Sequence, residues 1–330
     1  MNNRTAILLL LLCVTGRAGA QREPGTKNFF RLYVDNDALI LSSNATDWGY
    51  TSGLRIDFFY SPEKKYNGHF GWPGRLTGSK TVITRGWGLM QVIMAPQKTS
   101  LTVPEKHDYA YSGGLVAVYT VHAANPLKKI NVQSECIIGM MGPPSLAEQT
   151  QSFFHRLIKD PLPMGWSYQL PTDLLVNYNV KAERSLVETK LIVVTGSGEF
   201  LLGSMKDGLS LDMVLQIGKQ KKNYFSGLSN QYFAAEKPTV SLLFKATASL
   251  IAYDALLQGG LLNSQSPVHK NNSVSGTELT RQKAGGSLQL MLLFSARRFA
   301  ATFSQQITSA TFRGYGAHSV GNISLYYKTF

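Results

Sequence analysis

The sequence predicts an all-β protein, a twelve-stranded antiparallel barrel that crosses a membrane. From Asn28 onward the apolar residues recur with period two, the pattern of strands with one apolar and one polar face. The alternating segments run about ten residues, which a tilted strand needs to cross a bilayer, whereas soluble strands average about five or six. The longest apolar run, Ala6 to Val14, falls far short of the roughly 18 residues of a spanning helix. A soluble β-sandwich is the competing architecture. The strand length, the absence of a linker or second composition zone, and a closing strand that ends on Phe330 weigh against it. A terminal aromatic of this kind resembles the signal by which outer-membrane barrels are recognised for assembly.

Taken in order, the chain opens with a removable secretory signal at residues 1–20. Arg4 is its positive start, Ala6 to Val14 its apolar centre, and Ala18-Gly19-Ala20 its cleavage site. Residues 21–330 then form a single barrel. The whole chain carries 33 Lys+Arg against 20 Asp+Glu, a net charge of +13, and losing Arg4 and Arg17 leaves +11. Those cations are dispersed among aromatic and aliphatic residues, which excludes a nucleic-acid binder. Cys13 departs with the signal, so Cys136 is the sole thiol and no internal disulfide forms.

The expected strands are 28–37, 51–60, 83–94, 111–121, 130–140, 174–184, 189–198, 208–217, 238–252, 286–296, 298–307 and 318–330. The stretch 238–262 is long enough for two, but a bacterial single-chain barrel takes an even count. In the last strand, Ile323, Leu325 and Tyr327 share a face that Phe330 does not, which predicts an irregular register there. With both termini periplasmic, odd strands run outward. The connections 38–49, 95–108 and 141–173 then share the extracellular mouth, and 61–81 is a periplasmic turn of unexplained length. Within the longest connection, Ser145 to Ile158 reads as a helix, with Pro143-Pro144 before it and Ser145 as N-cap with Glu148 three residues on. Gln151 and His155, four apart, share one face.

Of six histidines, His69 and His122 fall on the periplasmic side, and His107, His155, His269 and His318 at the outer mouth. Only His155 lies on a helix with a polar partner one turn away. A lone loop histidine is more often solvated, and Asn or Asp at a strand end is more often a turn. Here Asp35-Asn36-Asp37 closes strand 1 opposite Tyr50-Thr51-Ser52-Gly53 opening strand 2, at that same mouth. A base candidate, amide and carboxylate oxygens and one or two hydroxyls are the inventory for hydrolysing an ester with an activated water and a hard cation.

The ordered set Tyr33-Val34-Asp35-Asn36-Asp37, Tyr50 to Gly53, Gly86-Trp87-Gly88 with Gln91 and Pro96, Asp108 to Gly113, Gly139 to Pro143, Gln151 to His155, and Gly165-Trp166 with Gln169 resembles the lipid A 3'-O-deacylase family of outer-membrane barrels. The resemblance implies a twelve-stranded barrel that uses calcium to remove acyl chains at the 3' position of lipid A. It implies His155 as the base, Asn36 and Asp37 as the polar pair holding the site and its Ca²⁺, Thr51 or Ser52 as the neighbouring hydroxyl, and Gln151 as a helix-borne positioning group. Departures are Asp108-Tyr109-Ala110-Tyr111-Ser112-Gly113 in place of a Pro-Tyr-Ala-Gly run, an acid displaced to Asp173, and Asp160 as the nearest acid beyond the histidine.

Oxygen ligands suit calcium better than zinc, since no Cys or paired-His spacing is present. The basic charge suits the phosphates of a lipopolysaccharide, with Lys98, Lys106, Arg156 and Lys159 in the outward loops, against an even chance of ordinary surface charge. A monomer in the outer membrane is expected. Two alternatives stand beside this reading: an outer-membrane phospholipase, disfavoured because no His-x-Ser occurs at His155, and a non-catalytic porin or binding barrel.

Overall fold

The computed structural model describes residues 28–41, 49–62, 71–105, 108–218, 237–263 and 281–329. The expected signal segment, His69, Lys106, His107, His269 and the terminal Phe330 lie outside them. Twelve strands close into a barrel in which each pairs antiparallel with its sequence neighbour and the first with the last. They are β1 (Asn28–Asn36), β2 (Gly49–Tyr60), β3 (Val82–Ala95), β4 (Ser112–Asn125), β5 (Ile130–Met141), β6 (Asp173–Glu188), β7 (Ile192–Gly203), β8 (Lys206–Gly218), β9 (Thr239–Asp254), β10 (Ala284–Ser295), β11 (Phe299–Thr308) and β12 (His318–Lys328). Closure satisfies every ladder group, the only way strands can stand in lipid.

All twelve expected segments are strands. The largest difference is at β6 and β7, where the turn falls three residues later than expected. No Gly or Pro marks it; the Thr189 hydroxyl makes it instead, accepting the backbone N–H groups of Leu191 (3.3 Å) and Ile192 (2.9 Å). The pairing of β12 with β1 runs unshifted to Lys328, and Phe330, on which the expected irregularity rested, lies outside the described residues.

The long connection 61–81 carries helix α1 (Trp72–Thr77), with Pro73 in its first turn, packed against β4 and β5. Trp72 Nε1 donates to the Tyr178 hydroxyl (2.6 Å), and Asn125 Nδ2 donates to the Thr77 carbonyl (2.7 Å). The described part of the connection, from residue 71, therefore lies against the outer wall of β4 to β6 at the end near the termini. Helix α2 (Ala147–Ile158) lies in the β5–β6 connection and α3 (Ala255–Gln258) follows β9.

Strand parity sorts side chains between lumen and outer wall. In β1, Phe29, Arg31, Tyr33 and Asp35 point inward and Phe30 outward, and in β3, Trp87 and Leu89 are exposed on the outer wall. An aromatic row in register crosses five strands near the termini: Tyr327, Phe30, Phe58, Trp87 and Tyr119. Phe30 and Phe58 are 5.0 Å apart and Trp87 and Tyr119 4.6 Å, centroid to centroid. This is one interfacial girdle of a membrane barrel.

The lumen is filled in layers. Phe29, Phe59, Leu243, Leu293 and Tyr326 close the end near the termini. Above them, Asp57 lies between Arg31 (2.7 Å) and Arg55 (2.9 Å), Arg55 reaches Glu135 (2.8 Å), and Asp212 takes Lys181 (2.9 Å) and Lys245 (3.3 Å). Val116, Val118, Leu175 and Leu256 pack a second apolar layer toward the other end, with α3 held there by the Ser112 hydroxyl donating to the Leu256 carbonyl (2.6 Å).

Candidate functional site

The ladder itself assembles one patch of wall at the end of the barrel opposite the termini. Asn36 pairs with Ser52, Ser52 with Ile93, and Ile93 with Gly113, so one row crosses β1 to β4. Parity puts the row on the outer wall: Leu89, on the same face of β3, is exposed, and inward Asp35 flanks outward Asn36. Thr51 is the extra residue of a bulge between Tyr50 and Ser52. Bulges commonly re-aim side chains beside functional sites. Asp37 begins one turn of 3-10 helix, Asp37–Leu39, packed on β12.

Behind this row, on the lumen side, the Tyr33 and Tyr50 hydroxyls each donate to Asp35 at 2.8 Å. The residue opposite must be glycine, because a Cβ at Gly53 would overlap both the Tyr50 hydroxyl and the Asp35 carboxylate. These bonds tie the ends of β1 and β2 together across the bulge.

Helix α2 docks on the outer wall over β3 and β4. Gln91, one outward step beyond Leu89, drops from the 54% exposure of Leu89 to 9% because it is covered there, its Nε2 donating to the Ser145 carbonyl (2.7 Å). Gly113 accepts the approach of Ala147 and Ser145, which a Cβ would block. Ile93, Ala95, Tyr111, Ala147 and Trp166 form the apolar seam beneath the helix. Burial pushes the Tyr111 hydroxyl up to about 12, so it stays a neutral donor, and it bonds to the Thr99 carbonyl (3.0 Å). Ser145 is not the N-cap. Leu146 occupies that position in the left-handed region (φ 57°), and the Ser145 hydroxyl turns back to the Gly142 carbonyl (2.6 Å), closing the turn before the helix.

Two ties on α2 bear on chemistry. Trp166 Nε1, which can only donate, is 2.9 Å from Gln151 Oε1. This fixes the amide orientation and leaves Gln151 Nε2, on a side chain only 4% exposed, with no partner among the described residues. His155 Nδ1 lies 2.6 Å from the Pro161 carbonyl and 3.3 Å from Asp160 Oδ2. A carbonyl only accepts, so the neutral ring carries its proton on Nδ1 and its lone pair on Nε2. Asp160 therefore stands beside the histidine, as the nearest acid in the sequence suggested. Asp173 holds a loop instead, accepting the N–H groups of Leu262 (2.8 Å) and Asn263 (2.7 Å).

The structure thus places Asn36 and Ser52 in direct register, and sets Gln151 and His155 on a helix docked about two strand spacings, or about 10 Å, further round the same wall. Of the basic candidates, Lys98 is engaged by Glu105 (2.6 Å), while Arg156 and Lys159 are exposed. Among the described residues no group of three or more His, Cys, Asp or Glu could hold a metal ion. The donors at the end of β1, the Asn36 amide and Asp37 carboxylate, are hard oxygens that fit calcium in kind, and they supply two of the roughly six to eight it takes. The sequence did not reveal the bulge, the Gln151 tie to Trp166 or the fixed tautomer of His155. A Gly-Trp pair following a helix that carries Gln was the one available signal for the second.

The fold, the girdle and the polar patch on the wall define an outer-membrane β-barrel. The chain belongs to the LpxR family: the family model described as outer membrane protein LpxR matches residues 6–329. Among solved structures, LpxR from Salmonella typhimurium superposes with a TM-score of 0.68 at 16% identity, covering 91% of this chain and 99% of that one. The β-domain of the Bordetella autotransporter BrkA reaches a TM-score of 0.45 at 7% identity, covering 92% and 98%. No curated protein matches.

Proposed function

We propose that this protein hydrolyses the ester-linked 3' acyl chain of lipid A in the outer leaflet, with His155 as general base. The observation that supports the reading is the docking of α2, which carries Gln151 and His155, over β3 and β4 on the outer wall, the same wall on which the Asn36–Ser52 row lies and where a lipid and not a lumenal solute arrives. His155 Nε2 takes a proton from a water whose oxygen attacks the ester carbonyl. The protonated ring then returns that proton to the departing alkoxide as the carbon–oxygen bond breaks. Throughout, Pro161 and Asp160 hold the Nδ1 side of the ring. The unpartnered Gln151 Nε2 is a fixed donor for the developing oxyanion, and the Ser52 or Thr51 hydroxyl adds a second. Asn36 and Asp37 would hold calcium, which when bound supplies positive charge for that oxyanion. Arg156, Lys159 and the loop residues Lys98 and Lys106 would meet substrate phosphates.

The filled lumen supports an enzyme over a porin, because crossed ion pairs and two apolar layers occupy the path a pore would need. The test is to incubate the purified protein with lipid A and Ca²⁺, and separately with phospholipid, and weigh the products. Loss of a 3' acyl group only in the wild type and not in His155→Ala supports the proposal. Lysophospholipid as the main product, or no product at all, refutes it.

A further inference from the structure

Among the described residues none covers the exposed face of α2, and its depth can be read from the strands. On an α-helix each residue turns about 100°. Ala147, Gln151 and Ile158 then fall on one arc, with His155 at its edge, facing the wall. Glu148, Gln149, Ser152 and Arg156 fall on a second arc. Phe153, Leu157 and Phe154, with Thr150 between the last two, form a third, and the three apolar side chains are all exposed. Three large apolar side chains on a single arc of a twelve-residue helix would be costly in water.

The row beneath α2 is six residues above the aromatic girdle on every strand concerned: Phe30 to Asn36, Trp87 to Ile93, Tyr119 to Gly113. At about 3.3 Å per residue this is about 20 Å along the strand, and at a tilt of about 40° about 15 Å in height. The apolar band of an outer-membrane barrel is about 25 Å tall, so the docked helix begins below its upper edge. The surface it covers is also continuous with the membrane-facing wall, since Leu89 is exposed immediately below Gln91, and Ile138, Met140 and Leu174 are exposed on β5 and β6 alongside.

From these observations we infer that α2 is a membrane-embedded helix, its Phe153–Phe154–Leu157 face immersed among the acyl chains of the outer leaflet while its Glu148–Ser152–Arg156 arc faces water and headgroups. The inference is independent of the proposed chemistry. It makes the helix a lipid-contacting element of the barrel instead of a lid standing above the membrane, and it would bring outer-leaflet acyl chains alongside the wall that carries Asn36 and Ser52.

The test uses the mature chain with Cys136→Ser, reconstituted in phosphatidylcholine vesicles. A nitroxide is attached in turn at Phe153→Cys, Phe154→Cys, Leu157→Cys, Glu148→Cys, and Leu89→Cys as the membrane reference. Labels at 153, 154 and 157 should match that at 89, with an oxygen-to-nickel collision ratio several-fold above that at 148. A water-like ratio at any of the three overturns the immersed face. For any labelled variant that fails to keep the heat-modifiable mobility of a folded barrel, Phe154→Trp in vesicles of brominated phosphatidylcholine replaces it. Quenching beyond that of the parent protein supports the inference, and none overturns it.

Discussion

Gly113→Ala is the sharpest test of whether docking of α2 matters to chemistry. The added Cβ would overlap the Ala147 Cβ and the Ser145 hydroxyl. Carbon atoms in contact stand about 3.5–4.0 Å apart and the added Cβ would stand 2.2 Å from that of Ala147, so the helix must retreat by more than about 1 Å. The barrel need not move, because Gly113 points outward and its backbone stays in the β3–β4 ladder. A misplacement of about 1 Å in a catalytic group costs on the order of 100-fold in rate, or about 2.7 kcal/mol of barrier at about 1.36 kcal/mol per tenfold. Fatty-acid release from lipid A in detergent micelles with Ca²⁺ measures the rate, and heat-modifiable mobility reports the barrel. Ala147→Gly in the same chain removes one of the two overlaps and should recover part of the loss. Wild-type turnover in Gly113→Ala would show that the position of α2 is irrelevant to catalysis, and an intact barrel with a loss that Ala147→Gly leaves untouched would move the cause off the helix.

Other perturbations separate the parts of the site. His155→Ala should abolish release while leaving the barrel folded, and chelation of Ca²⁺ with EDTA should silence the wild type; full activity in either case discards the corresponding role. Trp166→Phe removes the donor that orients Gln151 and should lower kcat about tenfold with KM little changed, in line with one misdirected hydrogen bond of about 1–1.5 kcal/mol. Asp57→Ala strips the carboxylate shared by Arg31 and Arg55 and should destabilise the barrel by about 3–5 kcal/mol, read as a lower urea midpoint of heat-modifiable mobility. An unshifted midpoint there would mean that the lumenal network is not structural.

Strand positions were legible because period-two patterning over about ten residues is a strong local signal, and parity then fixed which connections share a mouth. The site was legible as an inventory. Asp35-Asn36-Asp37 and Tyr50-Thr51-Ser52-Gly53 do stand opposite one another, and Gln151 and His155 do share a helix. Hidden in the sequence were the features that depend on contacts between distant segments. Nothing near Thr51 announces a bulge, and the Gln151 tie depends on Trp166, fifteen residues away. The capping role of Ser145 was misread because a Ser before a Glu at the right spacing looks the same whether its hydroxyl caps the helix or closes the preceding turn.

One property of a strand explains how a water-using site could be built on a wall that faces lipid. Neighbouring residues point to opposite sides, so Asp35 and Asn36 occupy different environments though they are adjacent. The inward residue is bound to two tyrosine hydroxyls and fixes the strand ends, which holds the outward residue in place on the wall. A barrel alone would then expose an amide and a hydroxyl to hydrocarbon. The docked helix removes that conflict, since it lies on the same wall with polar Gln151 and His155 on its inner arc and apolar Phe153, Phe154 and Leu157 along one flank. Moving Phe154 to the inner arc, or Gln151 to the outer one, would lose both properties together. Under the proposed function, the register of α2 on β3 and β4, set by Gly113 and the seam of Ile93, Ala95 and Trp166, would therefore matter as much as the histidine it presents.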